Sequence, residues 1–314
     1  MNQSKFSLAD VLALLTALIF GFVCFLGANF YTLGNMSKSI MLSLIITVVL
    51  FSTVFAAKRL KLTSINFKTR FLCEISLLIF FTLLFVFFTF MPFSHYFTVS
   101  DNSTDIVKKL QSNITQAEKM FSAYESYAEN RKILYKLRLK TVVSAKVPRP
   151  TEYVNYGFIY GISDEIQINK KMENINANLY PTNYSDLETK RGIKEVASSW
   201  LFEAKNTVKN WKPIGIPNVI VEVDIKSEQW LSSLIEISKT PEKGEQAEDF
   251  YYPLTYDEVK QDITTLGKPN MTSLFLGLLM WVLMMLSWFV TKRHTRFPGF
   301  KPLFSTSHKS INEL

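Results

Sequence analysis

Residues 71–92 read FLCEISLLIFFTLLFVFFTFMP, and residues 273–290 read SLFLGLLMWVLMMLSWFV. Each stretch is apolar over about 20 residues, the length needed to cross a hydrocarbon core of about 30 Å. Between them lies a polar insert, residues 93–271, whose composition is that of aqueous protein. The pattern predicts a domain of about 180 residues, large enough for its own core, tied to a membrane at both ends.

Two more apolar stretches precede the first, at about 8–30 and 40–57. The one at 8–30 is too long for a signal-peptide core and lacks a small-residue cleavage site, so it reads as a retained helix. Residues 31–38 (YTLGNMSK) form a short turn, and Pro92 is expected to end the third span because it lacks a backbone donor. The chain thus reads as an N-terminal membrane domain (1–92), an extracytoplasmic insert (93–271), a fourth span (272–291) and a tail (292–314).

The net charge of +8 is unevenly placed. The insert holds 23 Lys and Arg against 24 Asp and Glu, while the rest of the chain holds 12 against 3. The excess gathers at Lys58, Arg59, Lys61, Lys68 and Arg70 between spans two and three, and at Lys292, Arg293 and Arg296 after span four. Basic clusters beside spans mark the cytoplasmic side. The N-terminus, the 58–70 loop and the tail are therefore expected in the cytoplasm, and the insert outside it. A nearly neutral insert argues against nucleic-acid binding. Cys24 and Cys73 both lie in spans and the insert has no cysteine, so it has no disulfide. A domain of this size without disulfides leans the reading toward a bacterial inner membrane and a periplasmic insert.

Within the insert, Val107, Leu110, Ile114, Ala117, Phe121, Tyr124, Ala128 and Tyr135 recur at steps of three and four, with Arg131 in a skipped seat. The spacing predicts a membrane-proximal helix over about 104–137. Its apolar stripe either packs on its own domain or forms the seam of a homo-oligomeric coiled coil; Val107, Leu110, Ile114, Ala117, Phe121 and Tyr124 are the seam candidates. Leu139–Val147 is rich in β-branched residues, and Asn218–Ile225 (NVIVEVDI) alternates, with Trp230–Ser238 as a pairing partner; these read as strands. Capping patterns at Ser185–Glu188 and Thr255–Glu258 predict helices over about 186–211 and up to Leu266. Residues 240–249 (TPEKGEQAED) read as a polar loop tip, and 151–185 carry no clear pattern. The expected fold class is an α-helical polytopic membrane protein with an α+β extracytoplasmic domain between helices three and four.

Catalytic and ligand chemistry is sparse. The three histidines are His95, His294 and His308, none in the body of the insert, so the sequence gives no metal site, cofactor or catalytic residue. Asp164 and Glu165 are adjacent and point apart in any regular element. Glu74, just inside the third span, is the most unusual ionisable residue; it is expected at headgroup level, paired with Arg70 one turn away, with an interhelical contact or a proton or ion path as the alternatives. Asn-x-Ser/Thr occurs at Asn102, Asn113, Asn183 and Asn270. Phe297, Phe300 and Phe304 stud a proline-containing tail that resembles a docking peptide or a membrane-packing segment.

These features point to a membrane-anchored scaffolding subunit of a bacterial envelope assembly, with lipid, further copies of itself, and periplasmic and cytoplasmic proteins as partners. A ligand-sensing module is the alternative; with about 24 residues after the fourth span, its output would fall to a separate protein. A transport or channel subunit is a second alternative, disfavoured by the scarcity of polar residues in the spans. A reporter active only outside the cytoplasm is expected to be active when fused after Lys243 and silent after Lys61. The opposite pair of results would overturn the four-span topology.

Overall fold

The computed structural model describes residues 7–62, 67–186, 188–246 and 248–293. These residues are 76% helical and contain no strand. The chain divides into two units, 1–98 with 266–314, and 99–265.

Unit 1 holds four helices long and apolar enough to span a membrane, which makes the chain a multi-pass membrane protein. They are α1 (Leu8–Tyr31), α2 (Met36–Leu62), α3 (Phe67–Phe88) with its extension, and α11 (Met271–Val290). Without water to satisfy a free backbone, such segments must be helical. α1 is the central member and packs on both α2 and α11. Small residues let the backbones approach. A Cβ on Gly21 would sit 1.9 Å from Thr47 Oγ1 of α2, and the Gly21 carbonyl accepts from Ser43 Oγ at 2.7 Å. Phe20 stacks between Phe85 and Phe93, with ring centroids 4.6 and 4.8 Å away.

Pro92 does not end the third span. The helix passes through a π turn, Thr89–Phe93, and runs on as α4 (Ser94–Asp101). A wide turn takes up a proline whose ring and missing donor would break a regular α ladder. The Pro92 carbonyl then abuts α1, where a Cβ on Gly27 would lie 1.8 Å from it.

Unit 2 is all-helical, which corrects the α+β expectation. Its spine is α5 (Ser103–Ser144), 42 residues and about 63 Å long at 1.5 Å per residue. The predicted strand at 139–147 lies largely inside it. Leu139 and Val142 continue the buried series Ala128, Arg131, Tyr135, so burial overrides the β preference of the Thr-Val-Val run. Two shorter helices follow, α6 (Pro150–Asn155) and α7 (Asp164–Leu179), in the region without sequence pattern. Then come α8 (Ile193–Lys209), α9 (Ile216–Ser238) and α10 (Lys260–Thr264). α7, α8 and α9 pack on α5, and α8 packs on α9.

Both remaining predicted strands, 218–225 and 230–238, lie in α9. The alternation at Val219, Val221, Val223 and Ile225 covers only two turns. The governing pattern is longer: Ile220, Val223, Ser227, Trp230, Leu234 and Ile237 are buried at steps of three and four. Ser227 in that stripe hides the period, and Pro217 sits in the first turn, where its missing donor costs nothing. Ser185 caps no helix; its hydroxyl donates to Glu195 Oε1 at 2.6 Å, and α8 begins only at Ile193.

Helix and strand make opposite claims about two isoleucines of α9. Ile220 is 2% exposed and Ile225 is 49% exposed. Ile220→Asp in the intact, detergent-solubilised protein is expected to destabilise unit 2 by about 3 kcal/mol or more, and Ile225→Asp by no more than about 0.5 kcal/mol. Thermal unfolding checks this; the reverse ranking would restore the strand.

Candidate functional sites: a polar lock and a clasped groove

In unit 1 the ionisable side chains of the spans meet at one end of the bundle. Ser7 caps α1, and Asp10 returns the bond, accepting from Ser7 N at 2.8 Å. Lys58 near the end of α2 reaches the same carboxylate at 2.6 Å, with side chains 7% and 2% exposed. Ser287 of α11 also donates to Asp10. One helical step on, Trp288 Nε1 donates to Glu74 Oε1 at 2.9 Å, and the Trp288 carbonyl accepts from Lys61 Nζ at 2.7 Å. Arg293 completes the set, 2.7 Å from Glu74 Oε1. Ser287, Trp288 and Arg293 thereby tie the end of α11 and the residues after it to all three other spans.

Glu74 is therefore paired with Arg293 and Trp288, not with Arg70. It is 1% exposed and joins α3 to α11. The basic residues divide in the same way. Lys58, Lys61 and Arg293 are bonded inside the lock, Arg59 lies 4.9 Å from the Phe55 ring centre, Lys68 and Lys292 are exposed, and Arg70 is half-buried. Arg296, Phe297, Phe300 and Phe304 fall outside the described residues.

In unit 2 the seam candidates have a different fate. Leu110, Ile114, Ala117, Phe121 and Tyr124 are buried within a single copy, and Val107 is half-buried. Phe121 meets Trp230 of α9, with ring centroids 5.9 Å apart, and the Tyr124 hydroxyl donates to the Leu179 carbonyl at 2.8 Å. The stripe is an internal packing face, leaving a coiled-coil seam nothing to pair with. Asn113 is also buried, exchanging hydrogen bonds with the Asp257 backbone at 2.9 and 3.1 Å, so the folded chain cannot present it as a glycan acceptor.

Arg131, the polar residue in the skipped seat, is the feature the sequence underplays. Its guanidinium bonds both Glu245 oxygens, the Ser238 and Thr240 carbonyls, and the Tyr127 hydroxyl. All five donors are used. The Arg131 and Glu245 side chains are 5% and 4% exposed. Burial works against the Arg131 charge, but the bonded Glu245 carboxylate holds its pKa above the usual arginine value. The loop expected to be a free polar tip is thus seated on α5. Tyr127 OH donates to the Glu248 carbonyl at 2.6 Å and Tyr135 OH to the Lys243 carbonyl at 3.1 Å. Burial, with Glu242 and Glu245 nearby, pushes the Tyr135 phenol up, so it stays a protonated donor. Gly244, at φ 82°, packs on the Tyr156 ring, where a Cβ would come within 2.7 Å.

Loop and helix enclose an open cavity of about 600 Å³. Tyr127, Tyr135 and Tyr156 line its walls, with Asn130, Leu134 and Arg138 on the helix side. Arg138 is fixed there by Tyr156 OH at 3.0 Å and Glu152 at 3.0 Å. With the Arg131 donors and the Glu245 carboxylate spent on each other, the rest of the lining offers aromatic faces, the amides of Asn130 and Gln246, Arg138 and the exposed Glu248. No group of three or more His, Cys, Asp or Glu side chains placed to hold a metal ion is found among the described residues. Comparison of the chain with protein-family models, curated proteins and solved structures gives no match.

Arg131→Met would leave the buried Glu245 carboxylate with the Glu242 N–H but no ion-pair partner, at a cost of about 3–5 kcal/mol. The expected result is rapid tryptic cleavage at Lys239 and Lys243 in the intact protein, with protection partly restored in Arg131→Met/Glu245→Gln. Cleavage equal to wild type in the single variant would show that the clasp does not hold the loop.

Proposed function

We propose that the chain is a membrane-anchored structural or scaffolding subunit of a bacterial envelope assembly, with unit 2 in the periplasm as a partner-holding domain. The observation that carries this reading is the clasped groove. A buried ion pair and two tyrosine hydrogen bonds hold a loop against α5, so the cavity wall is in place before any partner arrives. Binding to a preformed surface avoids the ordering cost that a mobile loop would impose.

Unit 1 supplies the anchor. Its buried charges are paired between helices at one end, an arrangement that favours holding the spans together over conducting an ion along them. The basic residues on the 58–70 loop and after α11 support cytoplasmic termini and an inner-membrane location. Because the α5 stripe is covered within one copy, this reading rests on a different protein as the partner, not on self-association.

A second reading, a ligand-sensing module, is favoured by the same cavity, since Tyr156 comes from the patternless 151–185 region. The two differ in the size of the occupant. A photo-reactive residue placed singly at Leu134, Phe202 and Tyr251, all well exposed, is introduced into the full-length chain in native membranes. The scaffold reading expects a discrete adduct with one defined protein from at least one position. No protein adduct at any position would sink it and leave the sensor.

A further inference from the structure

From Arg131 to Arg149 the chain holds seven Lys and Arg and not one Asp or Glu. Five of the seven have carboxylate partners: Arg131 has Glu245, Lys146 has Asp164, and Arg138 and Arg149 share Glu152. Lys132 pairs with Glu129. Lys136 and Lys140 are exposed and have no carboxylate partner among the described residues.

The same face of α5 carries three large apolar side chains that nothing in unit 2 covers. Ile133 is 56% exposed, Leu134 67% and Leu137 57%. At about 100° per residue they form one stripe. Lys136 and Lys140 flank it on one side. On the other side Leu134 and Arg138 lead directly into the tyrosine-lined cavity. The cavity side carries both signs, with Arg138 (paired with Glu152) and Glu248 in the lining, so the unpaired charge along the stripe is that of Lys136 and Lys140. A contiguous apolar stripe edged by unpaired lysines is an interaction surface, not scattered surface hydrophobicity.

We infer that this face and the adjoining cavity form a docking site for an acidic, amphipathic segment of another protein. The inference rests on the partner-holding reading and names the partner's chemistry. Apolar side chains of the segment cover Ile133, Leu134 and Leu137, and one of them enters the cavity between Tyr127, Tyr135 and Tyr156. Its carboxylates meet Lys136 and Lys140. Charge complementarity selects the acid, because two unpaired ammonium groups in an acid-free stretch would repel a basic segment. The concave, amide-bearing cavity selects a polypeptide over a flat anionic bilayer, which could meet the stripe but not fill the cavity.

The test uses the purified full-length protein in detergent micelles and a fluorescent helix-forming peptide of leucine and glutamate, with a leucine–lysine analogue and phosphatidylglycerol vesicles as comparison probes. The leucine–glutamate peptide is expected to bind, and Lys136→Glu/Lys140→Glu to weaken it about tenfold or more, since two attractive surface pairs become repulsive. Leu134→Ser should weaken it too. Phe202→Ser, an exposed change on α8, should leave binding unaltered and shows that the variants report the site. Equal binding of both peptides, or no effect of the lysine reversals, would overturn the inference. So would saturable vesicle binding without peptide binding, which would give the face to lipid. A photo-adduct in native membranes at Phe202 or Tyr251 but not at Leu134 would also overturn it while leaving the partner-holding reading intact.

Discussion

Three ionisable side chains buried at one end of the membrane bundle, Asp10, Lys58 and Glu74, decide where α11 sits. A charge in an apolar medium is tolerated only when paired and hydrogen-bonded. Asp10 and Lys58 satisfy each other, yet the carboxylate still takes a third donor from Ser287. Glu74 accepts from Trp288 and Arg293, both at Oε1. α11 therefore cannot rotate or slide by a residue without stranding a carboxylate, although its apolar faces alone would pack in several registers. The apolar residues place four helices in the membrane; the polar ones specify the arrangement.

Unit 2 applies the same device in water. Arg131 occupies a core position of α5, where an apolar residue would pack with less electrostatic cost. What the ion pair adds is specificity: Glu245 and the carbonyls of Ser238 and Thr240 must arrive from a loop more than 100 residues away in sequence. Only one path of the chain after α9 meets all five donors. That path passes Tyr127 and Tyr135, makes Phe250 a core residue against Tyr124, and lets Asn113 take up the Asp257 backbone. The groove is a by-product of this routing. A helix too long to be covered along its whole length is roofed at a distance by a loop that a charge holds in place.

The spans were legible in the sequence because twenty apolar residues have few alternative fates. Helix α5 was legible from its three-four period. Class failed in α9 because an eight-residue window with five β-branched residues fits two periods at once, and Ser227 broke the longer one. The α5 extension failed for the related reason that burial of Leu139 and Val142 on the inner stripe overrules the β preference of the Thr141–Val143 run. The sites were half visible. Arg131 stood out as the wrong residue type in a regular stripe, and that irregularity was the available signal. Its partner was not visible, since Glu245 is one of four acids in a short polar loop, and nothing local says which turns inward. Glu74 was seen as costly, but Arg70 was the nearer cation in sequence, while the cation that binds it lies 219 residues away.

The fate of α5 bears most directly on what the protein does. Its first half is covered on the side the heptad predicts, by α8 and α9, and Tyr124 reaches the end of α7. That stripe is closed within a single copy. Its second half keeps the inner stripe, through Tyr135, Leu139 and Val142, but shows a second apolar stripe to solvent at Ile133, Leu134 and Leu137. The heptad accounts for the first stripe alone. An amphipathic helix packed on one side has no internal use for large apolar residues on the other, where exposure works against solubility. The three-four period marks one stripe that could serve as core or as interface. The helix has two, and the core claimed the regular one, so any interface must be sought in the irregular one.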